Sequence, residues 1–285
     1  MALRIGIDSY SYHRLLGEVR DGESPPRRAF RGVEDVLEHA RSLGVDGVSL
    51  ETCFLPHPAA IDIGRLHDAA GTLELVVAWG HPHGLEFGAS AGALADLLAW
   101  LNVAAELGCT LVRCVAASPW LRGASSAAAR IDDTVPPLRE AAARARSLGL
   151  TLALENHGDL QAMEVLELVE RVGNEALDVC FDTANALRVG DDVLEAANEL
   201  ATITRMLHLK DVEAPTATME PAGPCSVAYG EGVVPLREVL AALERGGFEG
   251  LTCVELGQLA PGADELELVE RCVGWLRRRA VATSA

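Results

Sequence analysis

The sequence predicts an α/β fold, a (β/α)8 TIM barrel forming a single domain over residues 1–285. Three observations predict it: short apolar segments alternate eight times with amphipathic ones, glycines end several amphipathic segments, and a polar residue follows each apolar segment. Residues 150–158 show the pattern most clearly, because Leu-Thr-Leu-Ala-Leu leads directly into Glu-Asn-His. An unbroken apolar strand is typical of a parallel sheet that is covered on both faces.

The apolar segments are predicted to be strands, and the segments with a 3.6-residue apolar period are predicted to be helices. Gly44, Gly108 and Gly149 are expected to end helices, since glycine accepts the left-handed conformation found there. Pro136 and Pro137 are expected to break the fourth helix or to start a second one. The predicted strands are 3–8, 45–50, 73–79, 111–115, 150–154, 177–181, 203–207 and 251–254. The predicted helices are 33–43, 61–70, 91–107, 127–148, 161–171, 191–200, 235–245 and 263–279.

An open, doubly wound sheet is the alternative fold for such an alternation of strands and helices. Against it, no Gly-x-Gly-x-x-Gly follows the first strand, and the sequence has no Walker-type loop. Eight serial units instead match a closed barrel, whose active site lies at the carboxyl ends of the strands.

The bulk composition limits partners and location. A formal net charge of −18 repels phosphate backbones, so we expect no nucleic acid partner. No apolar run is long enough to span a bilayer, and the first strand starts without a signal peptide, so no membrane association is expected. Cysteines 109, 114, 180 and 253 lie inside apolar segments without a Cys-x-x-Cys pair. Free buried thiols indicate a reducing compartment, and the predicted location is the cytoplasm.

A polar residue closes every predicted strand. The eight residues are Asp8, Glu51, His81, Arg113, Glu155, Asp182, His208 and Glu255. In a barrel these side chains would converge on one pocket. Single members have plainer explanations, since Asp8 or Glu51 is as well explained as a loop cap, and His81 as a turn residue beside Pro82. We predict that Glu51, His81 and Arg113 contact the substrate.

The last strands of the barrel end in residues that bind metals. Carboxylate oxygens suit hard cations, and one imidazole adds affinity for Mn²⁺ or Co²⁺. The prediction is one divalent ion, Mn²⁺ first, with Mg²⁺ or Co²⁺ as alternatives and Zn²⁺ less favoured because it prefers more nitrogen or sulfur. The plainer alternative is that these acids pair with Arg and Lys. The predicted ligands are Glu155, Asp182, His208 and Glu255.

Such a site suits chemistry next to a carbonyl group. A divalent ion that holds the carbonyl and the adjacent hydroxyl stabilises the enediolate formed when a proton leaves the neighbouring carbon. A nearby carboxylate acts as the base, which typically contributes ~10²–10⁴-fold. Return of the proton to the opposite face gives epimerisation, its return to the adjacent carbon gives isomerisation, and loss of a leaving group gives elimination.

The chain resembles the xylose isomerase-like TIM barrel superfamily, the sugar phosphate isomerases and epimerases, over nearly its whole length. The motifs that carry the resemblance are Leu-Glu155-Asn-His157-Gly, Phe-Asp182-Thr-Ala-Asn185, His208-Leu-Lys210-Asp211, Gly230-Glu-Gly232 and Val-Glu255. The resemblance implies that the four predicted ligands bind one divalent ion. It also implies that Glu155 and Glu255 move protons between the two faces of the substrate, as in ketose 3-epimerases.

Two positions depart from the epimerase pattern. Asn185 stands where many of those enzymes have histidine, and Lys210 begins a Lys-Asp-Val-Glu stretch where many have arginine. Asn185 can still bind a sugar hydroxyl, and Lys210 can still stabilise an oxyanion. The DNA-repair endonucleases of the superfamily do not match, since they need more histidine ligands and a basic surface.

A lyase of the same superfamily is therefore the alternative function. Tyr12 and His13 are predicted to lie on the loop after the first strand, over the pocket, with Tyr12 contacting substrate and His13 acting as an acid or base. His157 is a further candidate acid or base, and its alternative role is to orient a ligand. The resemblance extends to 3-dehydroshikimate dehydratases and to C-glycoside deglycosidases that act on 3-oxo-glycosides. A non-catalytic sugar-binding barrel is the third reading.

The expected partner is a small-molecule sugar or keto-sugar. A homo-oligomer or an accessory subunit stays open. The long loop at 211–232, rich in proline and glycine, is predicted to be either a lid over the pocket or an oligomer contact.

Overall fold

The computed structural model describes residues 3–26, 29–173, 177–214 and 224–283, and the eight parallel strands in these ranges close into a barrel. Each strand pairs with its neighbours in the chain, and β1 pairs with β8 to complete the cylinder. The predicted (β/α)8 fold is confirmed. The strands are β1 (Arg4–Asp8), β2 (Gly47–Glu51), β3 (Glu74–Ala78), β4 (Leu111–Val115), β5 (Thr151–Glu155), β6 (Leu177–Asp182), β7 (Thr204–Leu209) and β8 (Leu251–Val254).

Helices connect the strands and bury their apolar faces in the main core. Gly44, Gly108 and Gly149 follow helices with φ of 59°, 69° and 75°, as the sequence predicts. Within the described ranges the helices are α1 (Val33–Leu43), α2 (Ile63–Ala70), α3 (Ala91–Glu106), α4 (Ala127–Ser147), α5 (Ala162–Val172), α6 (Thr183–Arg188), α7 (Val193–Leu200), α8 (Leu236–Arg245) and α9 (Glu265–Thr283).

Helix α4 runs without interruption through Pro136 and Pro137, so the predicted break is wrong. Proline removes one backbone donor and pushes against the carbonyl four residues earlier. For Pro137 that carbonyl belongs to Asp133, and Gly88 packs so closely against it that a side chain at position 88 would collide with it. Apolar residues of α4 on both sides of the prolines, such as Ile131 and Leu138, are buried, and this packing holds the helix together.

Helix α6 is a short helix that the sequence did not predict. The Asp182 carboxylate caps its start by accepting hydrogen bonds from the backbone N–H groups of Ala184 and Asn185. A side-chain oxygen at this position satisfies donors that have no partner inside the helix. The cap places Asn185 beside the end of β6.

An apolar cluster inside the barrel forms the floor of the charged layer above it. The cluster consists of Val76, Leu111, Ala153, Cys180, Met206, Leu251 and Cys253. Residues two apart on a strand point to the same side. Two residues further along five of these strands come Arg113, Glu155, Asp182, His208 and Glu255. Because residues alternate sides along each strand, these charged side chains point into the barrel and form the layer above the apolar cluster. The predicted free, buried thiols at 109, 114, 180 and 253 are confirmed.

Asp211 anchors the loop that follows β7. Its buried carboxylate accepts hydrogen bonds from the backbone N–H groups of Gly230 at 2.8 Å, Gly232 at 3.0 Å and Val234 at 3.2 Å. Residues 215–223 lie outside the described ranges, so a lid or an oligomer contact at 211–232 stays a prediction. Among the described residues, none of the helices combines the length and apolar character that crossing a bilayer demands.

Candidate metal centre

The four predicted metal ligands meet inside the barrel at the carboxyl ends of its last strands. Glu155 and Asp182 are the final residues of β5 and β6. His208 lies one residue before the end of β7, and Glu255 directly follows β8. One ligand atom from each residue lies within 4.8 Å of the others, and all four residues are buried.

Several atoms of this cluster are buried without a hydrogen-bond partner. In the described part of the chain these include Glu155 Oε2, Glu255 Oε2 and both ring nitrogens of His208. His208 Nδ1 nevertheless lies 2.6 Å from Glu255 Oε2 and 3.4 Å from Glu155 Oε1. Because buried polar atoms normally have partners, ligand-type atoms that approach without hydrogen-bond alignment fit a shared cation. The donor set of three carboxylates and one imidazole therefore fits a divalent metal ion.

Nearby cations keep both glutamates ionised. Burial raises the pKa of Glu155, but the charges of Arg113 and His208 outweigh burial and hold it well below its usual value. Burial likewise raises the pKa of Glu255, and Lys210 and His208 lower it to about 2. Ionised carboxylates suit both metal ligands and general bases.

Asp182 differs from the two glutamates because its oxygens are fully engaged. Oδ1 accepts from the backbone N–H groups of Ala184 at 2.9 Å and Asn185 at 3.0 Å. Oδ2 accepts from Asn185 Nδ2 at 2.8 Å and from Lys210 Nζ at 2.5 Å. Burial raises the pKa of Asp182 to about 7, although Lys210 opposes the shift.

A second charged group lines the opposite side of the barrel. Arg113 donates to Glu51 and, at 3.0 Å, to the backbone carbonyl of Trp79. Its Nε lies 3.0 Å from Glu155 Oε2, so the guanidinium connects the end of β2 to the four candidate ligands. All three ionic groups are almost fully buried. Arg113 is thus the cation through which this side of the barrel contacts Glu155.

Most predicted site residues gather here, some in roles other than the predicted ones. Asn185 Nδ2 also reaches Glu155 Oε1 at 3.2 Å. Glu51 and Arg113, predicted to contact substrate, are paired with each other. His157 follows β5, its buried Nδ1 has no partner in the described structure, and burial lowers its pKa. His81 stacks on Trp79 with ring centroids 5.4 Å apart.

Tyr12 and His13 do not lie over the pocket, so this expectation is corrected. Tyr12 is fully buried, its hydroxyl bonds His39 Nδ1 at 2.9 Å, and its ring packs near Phe30. His13 is also fully buried, and its Nε2 lies 3.0 Å from Glu23. Both side chains therefore contribute to packing inside the protein.

Two residues beside the ligands were given no role in the predicted site, although Asp8 is one of the eight strand-end residues expected to converge on the pocket. Asn156 bonds both backbone groups of Asp182, donating at 2.8 Å and accepting at 2.7 Å, and so fixes the end of β6 against β5. Asp8 Oδ2 lies 3.5 Å from His208 Nε2, which places a carboxylate behind the imidazole. Such groups orient metal ligands. The strand-end position of Asp8 was the signal that could have identified it.

Comparisons with known proteins agree with this architecture. Uncharacterized protein YihM of Escherichia coli strain K12 is 31% identical over 97 residues, which span 33% of this chain and only 29% of that protein. L-ribulose 3-epimerase superposes with a TM-score of 0.72 at 19% identity, covering 99% of this chain and 98% of that one.

Two further solved structures share the fold. The probable 3-DHS dehydratase AsbF of Bacillus anthracis has a TM-score of 0.71 at 14% identity, covering 97% of this chain and 100% of that one. The IOLI protein with a binding zinc atom has a TM-score of 0.72 at 14% identity over 99% and 97% of the two chains. A family model described as xylose isomerase-like TIM barrel matches residues 37–279. The chain therefore belongs to the xylose isomerase-like TIM barrel family.

Proposed function

We propose that this protein is a divalent-metal-dependent isomerase or epimerase of a sugar or keto-sugar. One observation carries the proposal: four buried ligand-type side chains place one atom each within 4.8 Å of the others. Burying three carboxylates together is unfavourable unless cations compensate them. The L-ribulose 3-epimerase fold match supports the same reaction class.

The ligand set supports an oxygen-preferring ion, with Mn²⁺ proposed first and Mg²⁺ or Co²⁺ as alternatives. A zinc atom is bound in the related IOLI protein, so Zn²⁺ belongs in the same comparison. When bound, the ion would polarise the carbonyl and adjacent hydroxyl of the substrate and so acidify the neighbouring C–H group. Glu155, Asp182, His208 and Glu255 would hold it.

Glu155 is the proposed base, since Arg113 and His208 keep it ionised inside the barrel. It takes the proton from the carbon next to the carbonyl, the C–H electron pair forms a C=C bond, and the carbonyl π pair moves onto oxygen. Return of that proton by Glu155 to the former carbonyl carbon, with the proton of the adjacent hydroxyl passing to the oxyanion, gives an isomer whose carbonyl has moved by one carbon. Epimerisation instead needs Glu255, which is ionised at rest, to take up a proton from water and deliver it to the opposite face, while Glu155 keeps the first proton. Lys210 would stabilise the oxyanion.

Elimination from the same enediolate is the second candidate. The observation that favours it is His157, whose buried Nδ1 has no hydrogen-bond partner among the described residues and can pass a proton to a leaving group. The fold match to a probable 3-DHS dehydratase supports a lyase in the same way as the epimerase match supports an isomerase. Substrates of this class are 3-oxo-glycosides and 3-dehydroshikimate.

The test is a screen in D2O with Mn²⁺, using ketoses, 3-oxo-glycosides and 3-dehydroshikimate. NMR would report deuterium uptake next to the carbonyl, and mass spectrometry would separate isomers, which keep the substrate mass, from elimination products. Glu155→Gln and Glu255→Gln should abolish uptake and turnover, whereas Glu238→Gln, at an exposed position on α8, should not. Turnover that survives both site substitutions would refute the proton-transfer assignment, and binding without any turnover would favour a sugar-binding barrel.

A further inference from the structure

Lys210 is the only lysine in the chain, and every other residue among the 24 Lys and Arg is an arginine. The side chain is only 10% exposed, which is unusual for an ammonium group, and it lies two residues after the candidate ligand His208. A compact ammonium on a flexible four-carbon stem can move between partners more readily than a planar guanidinium. The one lysine ammonium of this sequence therefore lies at the four candidate metal ligands.

The ammonium contacts two of the four candidate ligands. Lys210 Nζ lies 2.5 Å from Asp182 Oδ2 and 2.7 Å from Glu255 Oε1. Glu155, His208 and Glu255 each keep a buried atom without a hydrogen-bond partner among the described residues, so Lys210 engages only one of the two oxygens of Glu255. The ammonium therefore takes part of the coordination capacity that a metal ion would use.

Asp182 has no free lone pair while Lys210 is in place. Each carboxylate oxygen offers two acceptor positions. Oδ1 uses both on backbone N–H groups, and Oδ2 uses them on Asn185 Nδ2 and Lys210 Nζ. A metal ion that binds Asp182 must consequently displace one of these donors.

Lys210 is the donor that can leave. Asn185 is held in α6, which begins at the Asp182 cap, and its neutral amide does not repel a cation. The ammonium carries a positive charge that a divalent ion at the same carboxylates would repel strongly. The Lys210 side chain keeps 10% of its surface exposed, and its four-carbon stem is flexible, so we expect a rotation of the side chain to move the charge away.

Lys210 and a divalent ion can serve the same electrostatic purpose. Asp182 and Glu255 are buried carboxylates, and the ammonium is the cation of the chain that contacts both of them. A divalent ion held by the same two carboxylates would supply that compensating positive charge in place of the ammonium.

We propose that Lys210 and the divalent ion bind Asp182 and Glu255 in alternation. Without the ion, the ammonium acts as an internal counter-ion that keeps the acidic cluster folded. Entry of the ion releases the ammonium toward the mouth of the barrel, where it is available to a substrate oxyanion. This inference rests on the divalent-ion site of the proposed function.

The single lysine makes the test direct. EDTA-treated protein would be reductively methylated with formaldehyde and cyanoborohydride, with and without saturating Mn²⁺, and the modified peptides quantified by mass spectrometry against the N-terminal amine. We expect Mn²⁺ to speed modification of Lys210 at least about fivefold, because the ion frees an amine held in two ion pairs. Modification that Mn²⁺ slows or leaves unchanged would overturn the alternation.

Substitution gives a second readout by calorimetric Mn²⁺ titration. Lys210→Met should raise the affinity at least about tenfold, since the competing charge is gone, while the matched Lys210→Arg should not raise it. Equal or weaker binding by Lys210→Met would contradict the proposal. If wild-type protein binds no Mn²⁺, Mg²⁺, Co²⁺ or Zn²⁺, the metal dependence falls as well, whereas binding with unchanged lysine reactivity overturns only the alternation.

Discussion

Glu51 in the first half of the barrel and the candidate ligands in the second half lie at equivalent strand ends, but their charges are satisfied differently, although Asp8 Oδ2 in the first half also lacks a hydrogen-bond partner among the described residues. In the β1–β4 half, Glu51 and Arg113 pair with each other, and Arg113 also bonds the Trp79 carbonyl. In the β5–β8 half, Glu155 and Glu255 keep buried oxygens without hydrogen-bond partners, and His208 has two such nitrogens. The sequence pattern is the same in both halves.

The difference shows that a polar residue at a strand end does not by itself identify a ligand. A carboxylate that meets a guanidinium supplied by the chain becomes part of the framework, as Glu51 does. Glu155, Asp182 and Glu255 face one another and an imidazole. Arg113 and Lys210 compensate them only in part, so this cluster can take a further cation. The Glu51–Arg113 pair is therefore a support for the site. It contacts the second half of the barrel through Glu155, and Asp8 contacts that half through His208.

The largest expected effect is a loss of stability when the ion pairs of Arg113 are removed. Arg113→Met would leave Glu51 and Glu155 as buried charges without their guanidinium, and the free energy of unfolding should fall by about 3–5 kcal/mol. Urea denaturation of the EDTA-treated protein measures it. The double variant Arg113→Met with Glu51→Leu should recover part of the loss, because one unpaired charge is removed. A loss below about 1 kcal/mol for Arg113→Met would mean that solvent or another group already compensates these carboxylates.

Substitutions of two comparable glutamates distinguish a candidate metal ligand from a residue that only supports the site. Glu51 and Glu155 are both buried and both contact Arg113. Glu155→Gln should weaken Mn²⁺ binding at least about 100-fold because it removes a charged ligand, whereas Glu51→Gln should weaken it less than about tenfold. Calorimetric titration of both variants checks this. Similar losses in the two variants would contradict the division of the barrel into halves.

Asp159 lies where the two halves join. The smallest expected effect is the change in the pH dependence of stability when this residue is replaced. Its carboxylate accepts from the backbone N–H groups of Ala117 after β4 and His157 after β5. Burial raises its pKa from 3.8 to about 7. An acid with a raised folded-state pKa stabilises the fold below pH 3.8, and that stability is lost as pH rises through about 7.

Asp159→Asn removes this titration. The stability of the variant relative to wild type should therefore increase from pH 5.5 to pH 8, by at most about 1.4 kcal/mol per pH unit. Chemical denaturation at both pH values measures the difference, and the hydrogen bond lost with one oxygen cancels because it does not depend on pH. A difference that stays constant would mean that Asp159 titrates in the folded chain as it does unfolded.

Regular elements were largely predictable from the sequence. The bounds of β4 and β8 were predicted to the residue, because each is an apolar run between a helix-ending glycine region and a polar strand end. Helix α6 was not predicted, since its start depends on the Asp182 side chain turning back onto its own backbone. The break at Pro136 was wrong because tertiary packing outweighed the local cost of proline.

The site was predictable in outline only. Strand alternation turns the four candidate ligands to the inside, and the predicted barrel brings their strand ends together. Which partner each side chain meets is a property of the closed barrel: Glu51 meets Arg113 only because β2 and β4 stand two strands apart across the interior. Tyr12 and His13 lie on a loop whose direction the sequence leaves open, and packing turned both inward.

The central claim is that Glu155, Asp182, His208 and Glu255 hold one divalent ion. Anomalous diffraction at the cobalt edge from crystals grown with Co²⁺ tests it directly. The account predicts one peak per chain, with a ligand atom from each of the four residues about 2.0–2.4 Å away. A peak elsewhere, or no peak with Lys210 still bonded to Asp182 and Glu255, would contradict it.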